Sequence, residues 1–121
     1  MDVALIIDDN RQTADTLREM LQMLGIEAVV AYGASAGLGA LKISRPGAVF
    51  LDLNLPGVNG FEILAYMQRE PRLSSVPVII VTSDDQPETA RRAQASNVRA
   101  MIIKPVMLET LEAAVKKAGL V

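Results

Sequence analysis

Five apolar runs, continuous except for Glu27 in the second, divide this chain, and each is followed by a segment with apolar residues at helical spacing. The runs cover residues 3–7, 26–31, 48–51, 76–81 and 100–103. The segments that follow cover 11–24, 34–44, 61–70, 87–96 and 107–118. A run that is apolar at every position is typical of a strand covered on both faces. The alternation therefore predicts an α/β fold with a parallel sheet.

Single helices between parallel strands cross over with a right hand, which leaves few topologies. We expect a doubly wound five-stranded sheet in the order 2-1-3-4-5, a flavodoxin-like (βα)5 fold with helices on both faces, rather than a Rossmann-like order. The 121 residues are the usual size of one domain, and no linker interrupts them, so we predict a single domain over 1–121. Gly25 is predicted to end the first helix, Pro87 to begin the fourth, and Asn97 to end it in a left-handed conformation.

Composition excludes several classes of function. A net charge of −2 provides no basic field for nucleic acid and no polybasic membrane patch. The absence of histidine and cysteine excludes imidazole catalysis, disulfides and thiolate metal sites. No apolar run approaches the ~18 residues of a membrane span, and the first residues lack the layout of a signal peptide. We therefore expect a cytoplasmic protein that binds neither nucleic acid nor membrane.

Polar residues follow four of the five runs. The run Val49-Phe50-Leu51 leads into Asp52, with the turn Pro56-Gly57 behind it. Asp8 and Asp9 follow the first run, Thr82 and Ser83 the fourth, and Lys104 and Pro105 the fifth. In a doubly wound sheet the binding site lies beyond the carboxyl ends of the strands, where the winding direction switches. The predicted topology therefore brings these side chains into one crevice.

Each of these residues also has an ordinary structural explanation. Asp8 or Asp9 could cap the first helix, Thr82 suits a strand end, and Pro105 could simply end a strand. Lysine is usually a solvated surface charge, which would explain Lys104. If there were no functional site, every one of these ordinary explanations would have to be true at once. That coincidence is improbable, because the polar residues lie at four strand ends along the same edge of the sheet.

The charges in this crevice indicate its chemistry. Three carboxylates and one ammonium give the crevice a net charge of about −2. Two like charges ~4 Å apart repel each other by ~4 kcal/mol at an effective dielectric near 20. All-oxygen ligands without histidine or cysteine favour Mg²⁺, or Mn²⁺. We predict that Asp9, Asp52 and the backbone carbonyl of Asn54 bind the ion directly and that Asp8 acts through water. A metal, a lysine and a hydroxyl around a carboxylate form a phosphoryl-transfer site.

These residues, Asp8-Asp9, Asp52 with Leu55-Pro56-Gly57, Thr82, and Lys104-Pro105, resemble the response-regulator receiver domain of two-component signalling. The chemotaxis response regulator is its simplest relative. The resemblance covers essentially the whole chain. No single motif is specific, but all of them occur in order on the expected strand ends.

The resemblance implies that Asp52 accepts a phosphoryl group from a phosphohistidine of a histidine kinase or histidine phosphotransfer protein. It implies that Lys104 and Thr82 contact that group, that Mg²⁺ is held beside it, and that the Lys104-Pro105 peptide is cis. Movement of Thr82 then alters the face formed by the fourth helix, fifth strand and fifth helix. Such a protein catalyses only its own phosphorylation and dephosphorylation, so we do not expect a conventional enzyme.

This sequence departs from the family pattern at the switch position. Three residues before the lysine the family usually has Tyr or Phe, and here Met101 stands there. A flexible thioether fills a pocket but offers neither a hydroxyl nor a rigid ring, so the coupling to the output face is in question. The residue before Gly60 is Asn59 instead of an acid, with little expected consequence. Asn54 and Asp84 flank the path of the hydrolytic water in this family, and their polarity predicts a short phosphorylated lifetime.

Three alternatives remain open. A flavodoxin shares the sheet, but needs a loop rich in Ser, Thr and Gly after the first strand, where Asp8-Asp9-Asn10 would repel the FMN phosphate. A magnesium-dependent phosphatase usually carries its nucleophile on the first strand and adds a cap domain. A receiver that serves only as an unphosphorylated interaction module tends to lose one of the site residues, and only Met101 supports it.

Charged side chains late in the chain suggest a second property. Six charged residues could form pairs of opposite charge across a two-fold homodimer face formed on phosphorylation: Arg91, Arg92, Arg99, Glu109, Glu112 and Lys116. Solvated helix surfaces are the simpler explanation of the same residues.

Overall fold

The computed structural model describes residues 2–95 and 97–121. Its five strands form one parallel sheet in the order β2-β1-β3-β4-β5, as the sequence predicted. In chain order the elements are β1 (Ala4–Ile7), α1 (Arg11–Met23), β2 (Ala28–Ala31), α2 (Ala34–Ile43), β3 (Val49–Leu51), α3 (Gly60–Arg69), β4 (Val78–Thr82), α4 (Pro87–Arg92), β5 (Val98–Ile103) and α5 (Leu108–Lys117).

The three central strands, β1, β3 and β4, are buried on both faces, which explains why they are apolar at every position except Thr82. Leu5 and Ile7 of β1 belong to a core cluster that packs with α2 and α3. Ala4 and Ile6 point the other way, into a cluster with α1 and α5. Because successive strand residues face opposite sides, each strand contributes to both clusters.

The second helix, α2, lies close to the sheet because residue 37 is glycine. A Cβ on Gly37 would lie 2.7 Å from the Ile7 side chain, so only glycine allows this approach. Gly39 faces open space on the same helix. Of these two glycines, one is therefore a packing requirement and the other only lowers the helical propensity.

The fourth helix is shorter than the sequence predicted. It ends at Arg92, whereas we expected it to continue to about Ser96, a residue that lies outside the described ranges. The prediction that Asn97 ends this helix is wrong, because Asn97 lies five residues beyond Arg92. Asn97 is instead buried beside β4, where its backbone carbonyl accepts from Val78 N–H at 2.8 Å. β5 begins at the next residue, Val98, two residues earlier than predicted.

The parallel arrangement brings the carboxyl ends of β1, β3, β4 and β5 to one edge of the sheet. Asp8, Asp52 and Lys104 follow directly after β1, β3 and β5, while Thr82 is the last residue of β4. Within the described residues, none of the helices has the length and hydropathy needed to cross a bilayer.

Candidate functional site

Asp52 lies at the centre of the crevice and is nearly buried, with 5% of its surface exposed. Its Oδ1 accepts the backbone N–H of Asn54 at 3.0 Å, and its Oδ2 accepts from Lys104 Nζ at 3.1 Å. A buried carboxylate needs such partners because water no longer solvates its charge.

Lys104 joins the acids that follow β1 and β3. Its Nζ lies 2.9 Å from Asp8 Oδ2 as well as 3.1 Å from Asp52 Oδ2. Asp8 is 3% exposed, and its Oδ1 accepts the N–H of Asn10 at 2.9 Å. Asn10 caps α1, accepting from Thr13 N–H, so neither aspartate serves as the helix cap. One ammonium therefore bridges two buried carboxylates.

Asp9 completes an acidic cluster at the rim. It is exposed, yet one carboxylate oxygen each from Asp8, Asp9 and Asp52 lie within 4.8 Å of one another. The donor set is entirely oxygen, which suits Mg²⁺ or Mn²⁺. Three carboxylates face one ammonium here, so a divalent cation fits the charge of the cluster. The structure brings together every predicted carboxylate ligand.

The buried charges perturb each other's ionisation. Burial raises the pKa of Asp52, and the negative charge of Asp8 adds to that increase, although the Asn54 N–H and Lys104 oppose it. Burial alone would lower the pKa of Lys104, but the hydrogen bond to Asp8 and the charges of Asp52 and Asp8 outweigh it, so its pKa is raised. The two pKa values are raised for related reasons. Two nearby carboxylates stabilise the charged form of Lys104, whereas burial and the negative charge of Asp8 destabilise the charged form of Asp52.

Thr82 connects the crevice to the next loop. It is fully buried at the end of β4, and its carbonyl accepts the backbone N–H of Lys104 at 2.8 Å. Its Oγ1 accepts from Asn54 Nδ2 at 3.3 Å and from the Asp84 N–H at 3.2 Å. The sequence predicted Thr82 as a site residue, but it did not predict that the Asn54 side chain would hold it.

Met101 and Pro105 were also singled out in the sequence. Met101 lies on β5, partly buried, and packs against the core cluster that α2 and α3 cover. The Lys104-Pro105 peptide bond is cis.

Gly60 supports the site in a way that sequence reasoning missed. It is the first residue of α3, and a Cβ there would lie 2.4 Å from the Asp52 carbonyl oxygen and 2.6 Å from Leu53 Cα. Its N–H donates to the Leu53 carbonyl at 3.0 Å. The only sequence signal was a glycine at a predicted helix start, which does not reveal a contact with the β3 loop. The helix can lie directly against the segment that carries Asp52 because residue 60 has no side chain.

Comparison with known proteins identifies the class to which this fold and site belong. Residues 4–116 match the model of the response regulator receiver domain. The chain therefore belongs to that family, and it is a receiver domain of two-component signalling.

Individual relatives span most of the chain. It is 32% identical to Protein PilH of Pseudomonas aeruginosa, with 88% of each chain covered. It is 30% identical to the Probable methanogenesis regulatory protein FilR2 of Methanothrix harundinacea, over 95% of this chain and 79% of that protein. The structure of chemotaxis response regulator CheY4 of Vibrio cholerae superimposes with a TM-score of 0.88 over 98% of both chains, at 23% identity, and so shows the shared fold.

The close approach at Gly60 predicts the effect of adding one methyl group. Gly60→Ala should lower the free energy of unfolding by about 1–3 kcal/mol, because the new Cβ would overlap backbone atoms that cannot rotate away. Gly39→Ala is the matched control, also a helix glycine but facing open space. It should raise stability by about 0.5–1 kcal/mol. Urea unfolding measures both, and equal effects of the two substitutions would contradict the proposed contact.

The raised pKa of Asp52 predicts a pH-dependent gain from removing its charge. In chelator-treated, magnesium-free buffer, Asp52→Asn should increase the free energy of unfolding at pH 7. An acid whose pKa is higher in the folded than in the unfolded state favours folding most when protonated, and this contribution is lost as pH rises through the folded pKa. The gain from the substitution should therefore shrink as pH falls toward the ordinary aspartate value of 3.8. Asp85→Asn, at an exposed neighbour of the site loop, is the control. A variant less stable than wild type at pH 7 would refute the expectation.

Proposed function

We propose that this receiver domain accepts a phosphoryl group on Asp52 from a phosphohistidine of a histidine kinase or histidine phosphotransfer protein. The observation that carries the proposal is the ammonium of Lys104 bridging the buried carboxylates of Asp8 and Asp52. A structural salt bridge needs one acid, and a second buried acid beside it leaves an excess of negative charge that favours cation binding.

The transfer follows from the groups present. A carboxylate oxygen of Asp52 attacks phosphorus, the bond from phosphorus to the imidazole nitrogen breaks, and the electron pair stays on the imidazole of the donor, which takes up a proton. The product is an acyl phosphate on Asp52. Lys104 is the cation placed to contact the developing charge on the phosphoryl oxygens, since its Nζ already touches the acceptor carboxylate.

Asp9, Asp52 and the backbone carbonyl of Asn54 would hold Mg²⁺, or Mn²⁺, with Asp8 acting through water. When bound, the ion would neutralise the excess negative charge of the acidic cluster and of the phosphoryl oxygens. The all-oxygen cluster of Asp8, Asp9 and Asp52 supports this assignment.

Thr82 is the proposed switch residue, donating its hydroxyl to the phosphoryl group on Asp52. Its movement would alter the face formed by α4, β5 and α5, which we propose controls a downstream output. Met101, at the position where the family usually has an aromatic residue, would fill the space that Thr82 vacates without an aromatic ring. The domain, which we take to span 1–121, would act only on its own aspartyl group and not as a multiple-turnover enzyme.

A homodimer that forms on phosphorylation is a further part of the proposal. Arg91 lies 3.9 Å from Glu88 and Lys116 lies 3.9 Å from Glu112, both as exposed pairs along their own helices. Such pairs contribute little to stability and can exchange partners across an interface.

Beryllofluoride, a mimic of the phosphoryl group on aspartate, tests the role of Asp52. Wild-type protein should bind BeF₃⁻ only with Mg²⁺, as followed by fluorine NMR, and Asp52→Ala should lose the bound signal. Asp85→Ala removes a neighbouring exposed carboxylate and should bind like wild type. Equal binding by wild type and Asp52→Ala would remove Asp52 from its proposed role and favour an unphosphorylated interaction module. Size-exclusion chromatography with the mimic would show whether dimers form.

The lifetime of the acyl phosphate gives a second test. Asn54→Met should lengthen the half-life several-fold because it replaces a polar amide beside Asp52 with a thioether that does not hold the hydrolytic water. Dephosphorylation would be followed after labelling with phosphoramidate, whose phosphorus–nitrogen bond resembles that of phosphohistidine. An unchanged rate would show that the side chain at this position does not govern hydrolysis.

A further inference from the structure

The arginine that follows the acidic rim is held by an aromatic ring. Arg11 is exposed at the start of α1, two residues after Asp9. Its guanidinium lies 4.1 Å from the centroid of the Tyr32 ring. Within residues 2–95 and 97–121, no salt bridge includes Arg11. The cation is therefore fixed by stacking on a ring, although carboxylates lie close to it in the chain.

The helix itself does not explain a cation at this position. The positive end of the helix dipole disfavours a cation in the first turn, and the first turn of α1 contains no acid. Asp15 lies four residues after Arg11, where an acid normally pairs with an arginine on the same helix face. Its Oδ1 instead accepts a hydrogen bond from the Tyr32 hydroxyl. The tyrosine thus engages both the cation and the acid that helical spacing would have paired.

Tyr32 places this stack beside the acidic crevice. Ile7 of β1 and Ala31 of β2 are register partners, so the next residues, Asp8 and Tyr32, lie side by side at the carboxyl edge of the sheet. The Asp8 N–H donates to the Ala31 carbonyl at 3.2 Å, which fixes that alignment. Because β2 and β3 lie on opposite sides of β1, the Arg11 guanidinium is held next to the acids but outside the space between β1 and β3.

The bond to Asp15 keeps the ring neutral as well as oriented. That hydrogen bond, followed by desolvation and the charge of Asp15, raises the pKa of the Tyr32 phenol, and the charges of Arg11 and Arg18 only partly oppose the increase. Tyr32 therefore stays protonated at neutral pH and continues to donate to Asp15. A ring anchored at its hydroxyl presents a fixed face to the guanidinium.

A guanidinium released from this ring would compete for the acidic cluster. Three carboxylates, those of Asp8, Asp9 and Asp52, face the single ammonium of Lys104. A flexible arginine side chain two residues from Asp9 has a high effective concentration there. It could bind one carboxylate through two hydrogen bonds and would cancel part of the excess negative charge. A divalent cation would then have to displace it.

We propose that Tyr32 and Asp15 are positioning residues that hold the Arg11 guanidinium outside the acidic cluster, so that the chain's own cation does not occupy the metal site. The inference rests on the proposed function, because it concerns the cluster to which we assign Mg²⁺ or Mn²⁺. It gives a role to three side chains on α1 and at the end of β2 that take no part in the proposed phosphoryl transfer.

Mn²⁺ affinity, followed by electron paramagnetic resonance of the free ion, tests this role by rescue. Tyr32→Leu removes the ring and should weaken Mn²⁺ binding about two- to fivefold, the population change that loss of a cation–π contact at an exposed site can produce. Tyr32→Phe keeps the ring and should lose less affinity. Adding Arg11→Gln to Tyr32→Leu should restore the affinity to that of Arg11→Gln alone. Arg18→Gln, an exposed arginine two turns further along α1, is the matched control and should not restore it.

Nuclear magnetic resonance of the metal-free protein provides a measurement that does not depend on binding. The ring current of Tyr32 should shift the Arg11 Nε–H resonance upfield in wild type and in Tyr32→Phe. The shift should be absent from Tyr32→Leu. Adding Mg²⁺ to wild type should leave the upfield shift in place, because the guanidinium does not occupy the metal site.

Three outcomes would overturn the inference while leaving the proposed function intact. One is an Arg11 resonance without an upfield shift in wild type, and another is a Tyr32→Leu variant that binds Mn²⁺ like wild type. The third is a loss of affinity in Tyr32→Leu that persists after Arg11→Gln, which would assign the loss to displacement of the neighbouring Asp8 backbone. Mn²⁺ affinity unchanged by Asp52→Ala and by Asp9→Ala would instead refute the proposed metal site itself.

Discussion

The sharing of one ammonium between two buried carboxylates governs the organisation of this domain. Lys104 lies 2.9 Å from Asp8 and 3.1 Å from Asp52, and each acid follows a different strand. Neither contact forms unless β1, β3 and β5 end at the same level of the sheet. The arrangement is not optimised for stability, since burial and the charge of Asp8 raise the pKa of Asp52. A site that keeps excess negative charge in a buried crevice is suited to bind a cation and then an anion.

Backbone geometry supports this site from every side. The carbonyl of Thr82 accepts the N–H of Lys104, so the register between β4 and β5 fixes the start of the lysine side chain. Gly60 lets α3 lie against the Asp52–Leu53 backbone. The Asp52 carboxylate is thereby held by a rigid frame.

The fourth helix contrasts with that frame. Its six residues bury no side chain, and its first turn is held by Asp84. Elements that respond to a signal are drawn from the least stable parts of a fold, where a change of one or two hydrogen bonds shifts a population appreciably. The rigidly held Asp52 and the weakly held helix lie at opposite ends of one series of hydrogen bonds.

The sequence by itself determined the fold class, the strand order and the membership of the crevice. Continuous apolar runs and right-handed crossovers allow few sheets, and in a parallel sheet the residues after the strands must meet at one edge. Tertiary structure alone decided three other features: the end of α4 at Arg92, the burial of Asn97 beside β4, and the bond from the Asn54 amide to Thr82. Local spacing favoured a longer fourth helix, but these features depend on distances between segments far apart in the chain. The spacing of apolar residues in the sequence shows which face of a helix or strand is apolar. The hydrogen-bond partner of a polar side chain depends instead on where other elements place their atoms.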